Sequence, residues 1–276
     1  MTLHFTKMHG AGNDFVVIDG NAEQFEPETA RIQALADRHT GVGFDQLLLV
    51  EPADSARADF RYRIFNANGS EVEQCGNGVR CVARFLHDKG LVDRSSLVLE
   101  SLAGDMEVEL LEDSMVRVNM GVPKLDPVDV PLAASDRSLT YHLSLEGQEI
   151  EFGAVSMGNP HAVLEVSDVA ATPVEDIGEM LESHSIFPQR ANIGFMERRA
   201  SNHILLRVFE RGVGETAACG SGACAAVVWG ILAHELDQQV HVDLPGGHLV
   251  ISWAGEGTPV YMTGPAVTVY HGSIDQ

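Results

Sequence analysis

The chain has 276 residues, 45% of them hydrophobic and 21% charged, with a formal net charge of −22 at pH 7. A chain of this length buries a substantial core and divides most naturally into two domains. Its acidity speaks against nucleic acid or an anionic membrane surface as a partner.

The N-terminus, Met1-Thr2-Leu3-His4-Phe5-Thr6-Lys7, lacks the basic and apolar regions of a signal peptide, and no apolar run approaches the ~20 residues of a membrane span. A cytoplasmic protein with four free thiols is the expectation. Strand character begins at Leu3–Lys7 and Phe15–Asp19. A helical pattern started by Pro27, with Ile32, Leu35 and Ala36 on one face, follows. Leu47–Val50 and Phe60–Phe65 read as strands. Next comes Glu73-Gln74-Cys75-Gly76-Asn77-Gly78-Val79-Arg80-Cys81, where a cysteine and a Gly-x-Gly turn lead into a helix. Val79, Val82, Ala83 and Leu86 make its apolar stripe, and Gly90 its stop. Strands are expected at Leu97–Glu100, Met106–Leu111 and Met115–Met120, then a Pro-rich linker from Gly121 to Pro131.

The second half carries strand signals at Leu139–Leu145, Ile150–Val155 and Ala162–Val166, then a helix started by Pro173. After a strand at Ile204–Phe209, Ala217-Ala218-Cys219-Gly220-Ser221-Gly222-Ala223-Cys224 repeats the cysteine and Gly-x-Gly word. Ala223–Ala233 is apolar on every side, as in a helix enclosed by its domain. Val240–Leu244, His248–Trp253, Val260–Met262 and Val267–Tyr270 complete the strands.

The two cysteine words are 144 residues apart (219 − 75). The same offset lays Arg63-Ile64-Phe65-Asn66 on Arg207-Val208-Phe209-Glu210 and Glu71 on Glu215. Gly12-Asn13 resembles Gly158-Asn159, with a slip of two residues. One plan used twice predicts an α+β fold of two pseudo-symmetric lobes, each a sheet wrapped around the helix that begins at its cysteine. A pseudo-twofold arrangement would bring the two helix starts face to face across a cleft.

Cys75 and Cys219 would each sit at a helix N-terminus, which favours the thiolate. A free cysteine is more commonly a small core residue, and Cys81 and Cys224 are assigned to packing. Spacings of six and five do not make a metal knuckle, so no metal site is expected. Two opposed thiols suit racemisation at an α-carbon, one removing a proton and the other delivering one. Backbone N–H groups of Gly76-Asn77 and Gly220-Ser221 could hold a carboxylate. None of Lys7, Lys89 and Lys124 falls in these motifs, so cofactor-free chemistry is expected.

Met8-His9-Gly10-Ala11-Gly12-Asn13-Asp14-Phe15, Gly41–Gln46, Phe65–Ser70, Gln74–Gly78, Met157–His161, Arg190–Phe195, Glu210–Thr216 and Ala218–Gly222 together resemble diaminopimelate epimerases, over essentially the whole chain. The resemblance implies interconversion of LL- and meso-diaminopimelate, without cofactor, in lysine and cell-wall precursor biosynthesis. It implies Cys75 as proton donor and Cys219 as acceptor from LL to meso, with His161 and Glu210 tuning the thiols. Substrate contacts would fall on Asn13, Gln46, Asn66, Gly76, Asn77, Asn159, Asn192, Glu210, Arg211, Gly220 and Ser221, and Tyr270 on a homodimer interface. The last strand would return to the first lobe, giving lobes of 1–121 plus 265–276 and 122–264. The rival readings are a proline-type racemase, which has no need of polar groups for a second amino-acid end, a phenazine-pathway-type isomerase, which lacks the cysteine pair, and a thiol redox protein or cysteine-dependent binding module, against which the missing C-x-x-C counts.

Overall fold

Thr2–Gly10 (β1) and Asn13–Asp19 (β2) form the first hairpin, closed by a two-residue turn in which Ala11 and Gly12 both take positive φ (53° and 83°). Such turns match the twist of the strands they join, and the non-glycine Ala11 is held there under strain. The computed structural model describes all residues except Met1, Gln74, Glu146 and Gln276, and the side chains of all these except Gln148 and His234. The chain forms two compact units, Met1–Asn119 with Thr263–Gln276, and Met120–Met262.

In the first unit, helix α1 (Thr29–Ala36) returns the chain to β3 (Gln46–Pro52), parallel to β2. β4 (Phe60–Asn66) runs antiparallel to β3 and carries the short β5 (Glu71–Val72). Helix α2 (Gly76–Asp88) follows, and then β6 (Ser96–Ser101, parallel to β4), β7 (Gly104–Leu110) and β8 (Met115–Asn119). Strands β1, β2, β3, β6, β7 and β8 all pack on α2, so the sheet curls around it. Val79, Cys81, Val82, Ala83 and Leu86 of α2 are wholly buried.

The second unit has the same plan. β9 (Tyr141–Leu145) pairs with β10 (Gln148–Ser156), which forms an antiparallel pair with β11 (Pro160–Glu165). Helix α3 (Val174–Glu182) leads to β12 (Asn192–Ala200), parallel to β11, and β13 (His203–Glu210) runs back antiparallel. The short β14 (Gly214–Thr216) precedes α4 (Gly220–His234), and β15 (Gln239–Leu244) lies parallel to β13. β16 (Gly247–Trp253) and β17 (Val260–Pro265) follow. Finally β18 (Val267–Asp275) pairs antiparallel with β1 in the first unit.

Hairpin, helix, parallel strand, antiparallel strand, stub, helix, parallel strand: this order occurs in both units, as the 144-residue offset predicts. It extends to side chains. Arg63 grips Glu71 through two hydrogen bonds of 2.7 and 2.9 Å, and Arg207 grips Glu215 through two of 2.6 Å. Each pair fixes the stub strand that delivers the chain to the helix start.

The α+β expectation is met, with differences in the elements: the short β5 and β14 were not expected. β12 was not anticipated, because its first six residues are buried without alternation and Gly194 interrupts them, hiding the period-two signal. The predicted strand over Leu139–Leu145 starts only at Tyr141. Both central helices begin at the glycine directly after the cysteine. α4 can be apolar all round because its neighbours β10, β11, β12, β13 and β16 enclose it.

Candidate active site

Each key cysteine is the residue before the first helical turn. Cys75 is extended (φ −145°, ψ 110°), and its Sγ accepts the Gly78 N–H at 3.4 Å, taking the place of a serine or aspartate cap. Cys219 has nearly the same backbone (φ −113°, ψ 107°) before α4. The space beside Gly78 and Gly222 is tight: a Cβ at Gly222 would stand 3.2 Å from the Cys219 Sγ and 3.0 Å from Val208, and one at Gly78 would stand 3.1 Å from Leu48. The N–H groups of Gly76, Asn77, Gly220 and Ser221 belong to first turns, where the helix itself supplies no acceptor.

In the first unit Cys75 is partly exposed, and Asn13 Oδ1 lies 3.9 Å from its Sγ. Asn13 is held by donating Nδ2–H to Asp45 Oδ2 (3.0 Å). Asp45 in turn shares Arg38 with Asp14, and Lys7 bonds Asp14 and the Gly43 carbonyl. Burial works against the Asp14 carboxylate, but hydrogen bonds from Arg38 and Lys7 hold its pKa well below the usual range. Gln46 donates to Asn66 Oδ1 (2.9 Å) across β3 and β4, and Asn66 donates to Ser70 Oγ (3.2 Å). Gln46 Oε1 is buried and has no hydrogen-bond partner among the described residues, so it presents an acceptor to an N–H donor such as an ammonium. The role expected of Asn77 is that of its backbone N–H in the first turn; its side-chain Oδ1 accepts from Arg80 (2.9 Å) inside the unit.

In the second unit Cys219 is buried, 4% exposed. Burial and the neighbouring Glu210 carboxylate push its thiol pKa well up, against hydrogen bonds from Ser221 and Gly222. Glu210 is itself raised by burial, which outweighs the hydrogen bonds of Thr216 and Cys219 to it. His161 is buried at 1% exposure, and burial together with the Arg211 charge lowers its pKa to about 3. It is therefore neutral at pH 7. Its Nε2–H donates to Asn159 Oδ1 (3.0 Å), Asn159 Nδ2–H donates to Ser221 Oγ (3.3 Å), and Ser221 Oγ lies 3.6 Å from the Cys219 Sγ. His161 and Asn159 thus donate in sequence toward Ser221 Oγ, which stands beside the sulfur and can either donate to it or accept from it.

Asn192 donates to the Pro160 carbonyl (3.0 Å) and accepts the Arg211 N–H (3.0 Å), and Arg211 Nη1 donates to the Gln189 carbonyl (3.1 Å). So Cys75, Asn13, Gly76 and Asn77 gather at one helix start, with the Gln46–Asn66 pair across β3 and β4. Cys219, Glu210, His161, Asn159, Ser221, Asn192 and Arg211 make one connected group in the second unit. Tyr270 is separate, 45% exposed on β18, its ring edge-on to Phe5 at 6.1 Å. Cys81 and Cys224 are wholly buried, and burial raises the Cys81 thiol to about 12. Sequence reasoning passed over Thr216, whose hydroxyl donates to Glu210, and the Asp14–Arg38–Asp45 network behind Asn13. The first sits inside a quoted motif; the second joins charges far apart in sequence and gives no local signal. Among the described residues no cluster could hold a metal ion, and no helix is long and apolar enough to cross a membrane.

Comparison with known proteins gives three findings. The sequence matches the family described as diaminopimelate epimerase over residues 5–125 and 153–269. It is 56% identical to a diaminopimelate epimerase of Alkalilimnicola ehrlichii over 276 residues, 99% of each chain, and 55% identical to one of Chromobacterium violaceum over the full length of both. Among solved structures it resembles a phenazine biosynthesis protein of the PhzF family from Bacillus anthracis (TM-score 0.71, 19% identity, all of both chains). It also resembles a hydroxyproline epimerase from Agrobacterium vitis (TM-score 0.68, 15% identity, 99% of this chain and 92% of that one). At such low identity these structures speak to the fold alone.

Proposed function

The chain belongs to the diaminopimelate epimerase family, and we infer that it is an isomerase interconverting LL- and meso-diaminopimelate by a two-base mechanism without a cofactor. The observation that carries the mechanism is the pair of cysteines, each in cap position before a buried helix of the same topological plan. In the LL-to-meso direction Cys219, as thiolate, takes the α-proton, and Cys75, as thiol, delivers one to the other face. The roles exchange on reversal. The first-turn N–H groups of Gly76–Asn77 and Gly220–Ser221 bind the α-carboxylate and the charge that develops on it.

The proton taken is a weak acid, so the donors must be in place before it leaves. Glu210 and the His161–Asn159–Ser221 chain serve this by opposing effects on Cys219. The carboxylate accepts the thiol proton, and the Ser221 hydroxyl can donate to the thiolate. The second amino-acid end requires directional polar groups, and Asn13, Gln46, Asn66, Asn159, Asn192, Glu210 and Arg211 supply acceptors and donors of both signs. A site made this way rejects analogues that lack the distant amino acid, because its polar groups would be left unpaired.

The free thiols favour a reducing, cytoplasmic workplace in the biosynthesis of lysine and cell-wall precursors. The exposed Tyr270 on β18 supports a homodimer. The test is incubation with LL-diaminopimelate in D2O. Meso product carrying one solvent deuterium at the inverted α-carbon is expected, and recovery of undeuterated LL substrate would overturn the reading.

A further inference from the structure

Glu182 is the last residue of α3 and is 6% exposed. The place is unfavourable for a carboxylate twice over, being shut off from water and at the carbonyl end of a helix. Its Oε1 accepts the Gly212 N–H at 2.6 Å and faces Arg190 Nη1 at 3.5 Å. Gly212 directly follows Arg211, and its φ of 74° belongs to the turn that sends β13 back into β14. Arg190 lies two residues before Asn192. The two segments that Glu182 joins are therefore those that hold Arg211. Asn192 Oδ1 accepts the Arg211 backbone N–H at 3.0 Å, and the Gln189 carbonyl accepts its Nη1–H at 3.1 Å.

The base of this contact is firm. A Cβ on Gly178 of α3 would lie 2.4 Å from the Phe209 ring, so the helix backbone rests directly on the side chain that precedes Glu210. The first unit holds its corresponding turn in the same manner. There α1 supplies Gln33, whose Nε2–H donates to the Asn68 carbonyl at 2.9 Å. The 144-residue offset lays Asn68 on Gly212 (68 + 144) and Asn66, where the turn leaves its strand, on Glu210 (66 + 144). In both units the first helix thus reaches to the turn behind a site residue. The side chains differ, an exposed neutral amide in one unit and a buried carboxylate in the other. A neutral amide is enough to tether a turn. The second turn also carries the guanidinium of Arg211, and a bond from an N–H to a carboxylate is about twice as strong as one to a neutral acceptor.

We propose that Glu182 is the positioning residue for Arg211 and, through it, for the carboxylate at the non-reacting amino-acid end of the substrate. This rests on the reading in which Arg211 meets that end. Glu182 itself touches no substrate. It keeps the turn from yielding, so the donors of Arg211 stand where only a ligand with a second amino-acid end pairs with them. An analogue without that end leaves them unpaired and is rejected.

Two variants of the full-length protein test this role. Glu182→Gln keeps an acceptor for the Gly212 N–H, whereas Glu182→Leu fills the space and keeps none. With LL-diaminopimelate the Leu variant should show a KM raised roughly tenfold at a kcat within about twofold of wild type, and the Gln variant a KM within about threefold. Hydrogen exchange followed by NMR should find the Gly212 amide protected in the wild type and the Gln variant, and freely exchanging in the Leu variant. A purely structural role would lower the folded fraction, and with it kcat, at unchanged KM; that result would overturn the proposal. So would a wild-type Gly212 amide that exchanges like an exposed one, which decides the question even if the Leu variant does not fold. Absence of turnover in the wild type would remove the epimerase reading and this role with it, while exchange at Gly212 would still report the anchor.

Discussion

His161 shows how burial and function meet in a single side chain. Its imidazole is enclosed, its pKa is about 3, and it stays neutral where an exposed histidine of pKa 6.5 begins to charge. Unfolding exposes it, so below pH 6.5 the unfolded chain binds a proton that the folded one does not. Stability is therefore fully present above the unfolded pKa and is lost as pH falls toward 3, by about 1.4 kcal/mol per unit from this group. His161→Gln keeps a donor for Asn159 and should flatten that slope relative to wild type in urea titrations between pH 4 and 7 on the order of this amount. Equal slopes would mean that the ring is solvated. The sequence pointed to His161 and Glu210 through family likeness, because no local pattern states what a histidine faces. Cys75 and Cys219 were legible from chemistry, as glycine-flanked thiols at the start of apolar runs.

At the scale of elements, the approach of sheet to helix sets the tolerance of the fold. Gly153 on β10 faces Trp229 of α4, and a Cβ there would lie 2.1 Å from the indole ring. Trp229 is in turn tied by its Nε1–H to the Leu139 carbonyl at 2.8 Å, so it has little freedom to retreat. Gly153→Ala should cost about 1–3 kcal/mol by overpacking, read as a lower denaturant midpoint at unchanged m-value. An unaltered midpoint would show that β10 and α4 stand further apart. Most strands were legible because their apolar runs are bounded by turn residues. β12 was not, since a strand buried on both faces has no alternation, and β5 and β14 are too short to carry one. The Arg63–Glu71 and Arg207–Glu215 pairs tie β5 and β14 to β4 and β13, and the repeat aligned these residues without stating that they touch.

For the whole molecule, the duplication explains both what is shared and what is not. Equal topology gives each unit a cysteine at a helix start, which a reaction nearly symmetrical about one carbon calls for. The surroundings are unequal: Glu210 stands beside Cys219 where the repeat puts the neutral Asn66 in the first unit, and its carboxylate favours the protonated Cys219 thiol. A duplicated plan was legible from the 144-residue offset, whereas the electrostatic difference needed the packed structure. The account stands most directly on turnover by the Cys75→Ala and Cys219→Ala proteins, assayed with LL-diaminopimelate alongside circular dichroism. It predicts native spectra and loss of epimerisation in both, since neither sulfur has a substitute within its unit. Near-normal turnover in either variant with a native spectrum would contradict it.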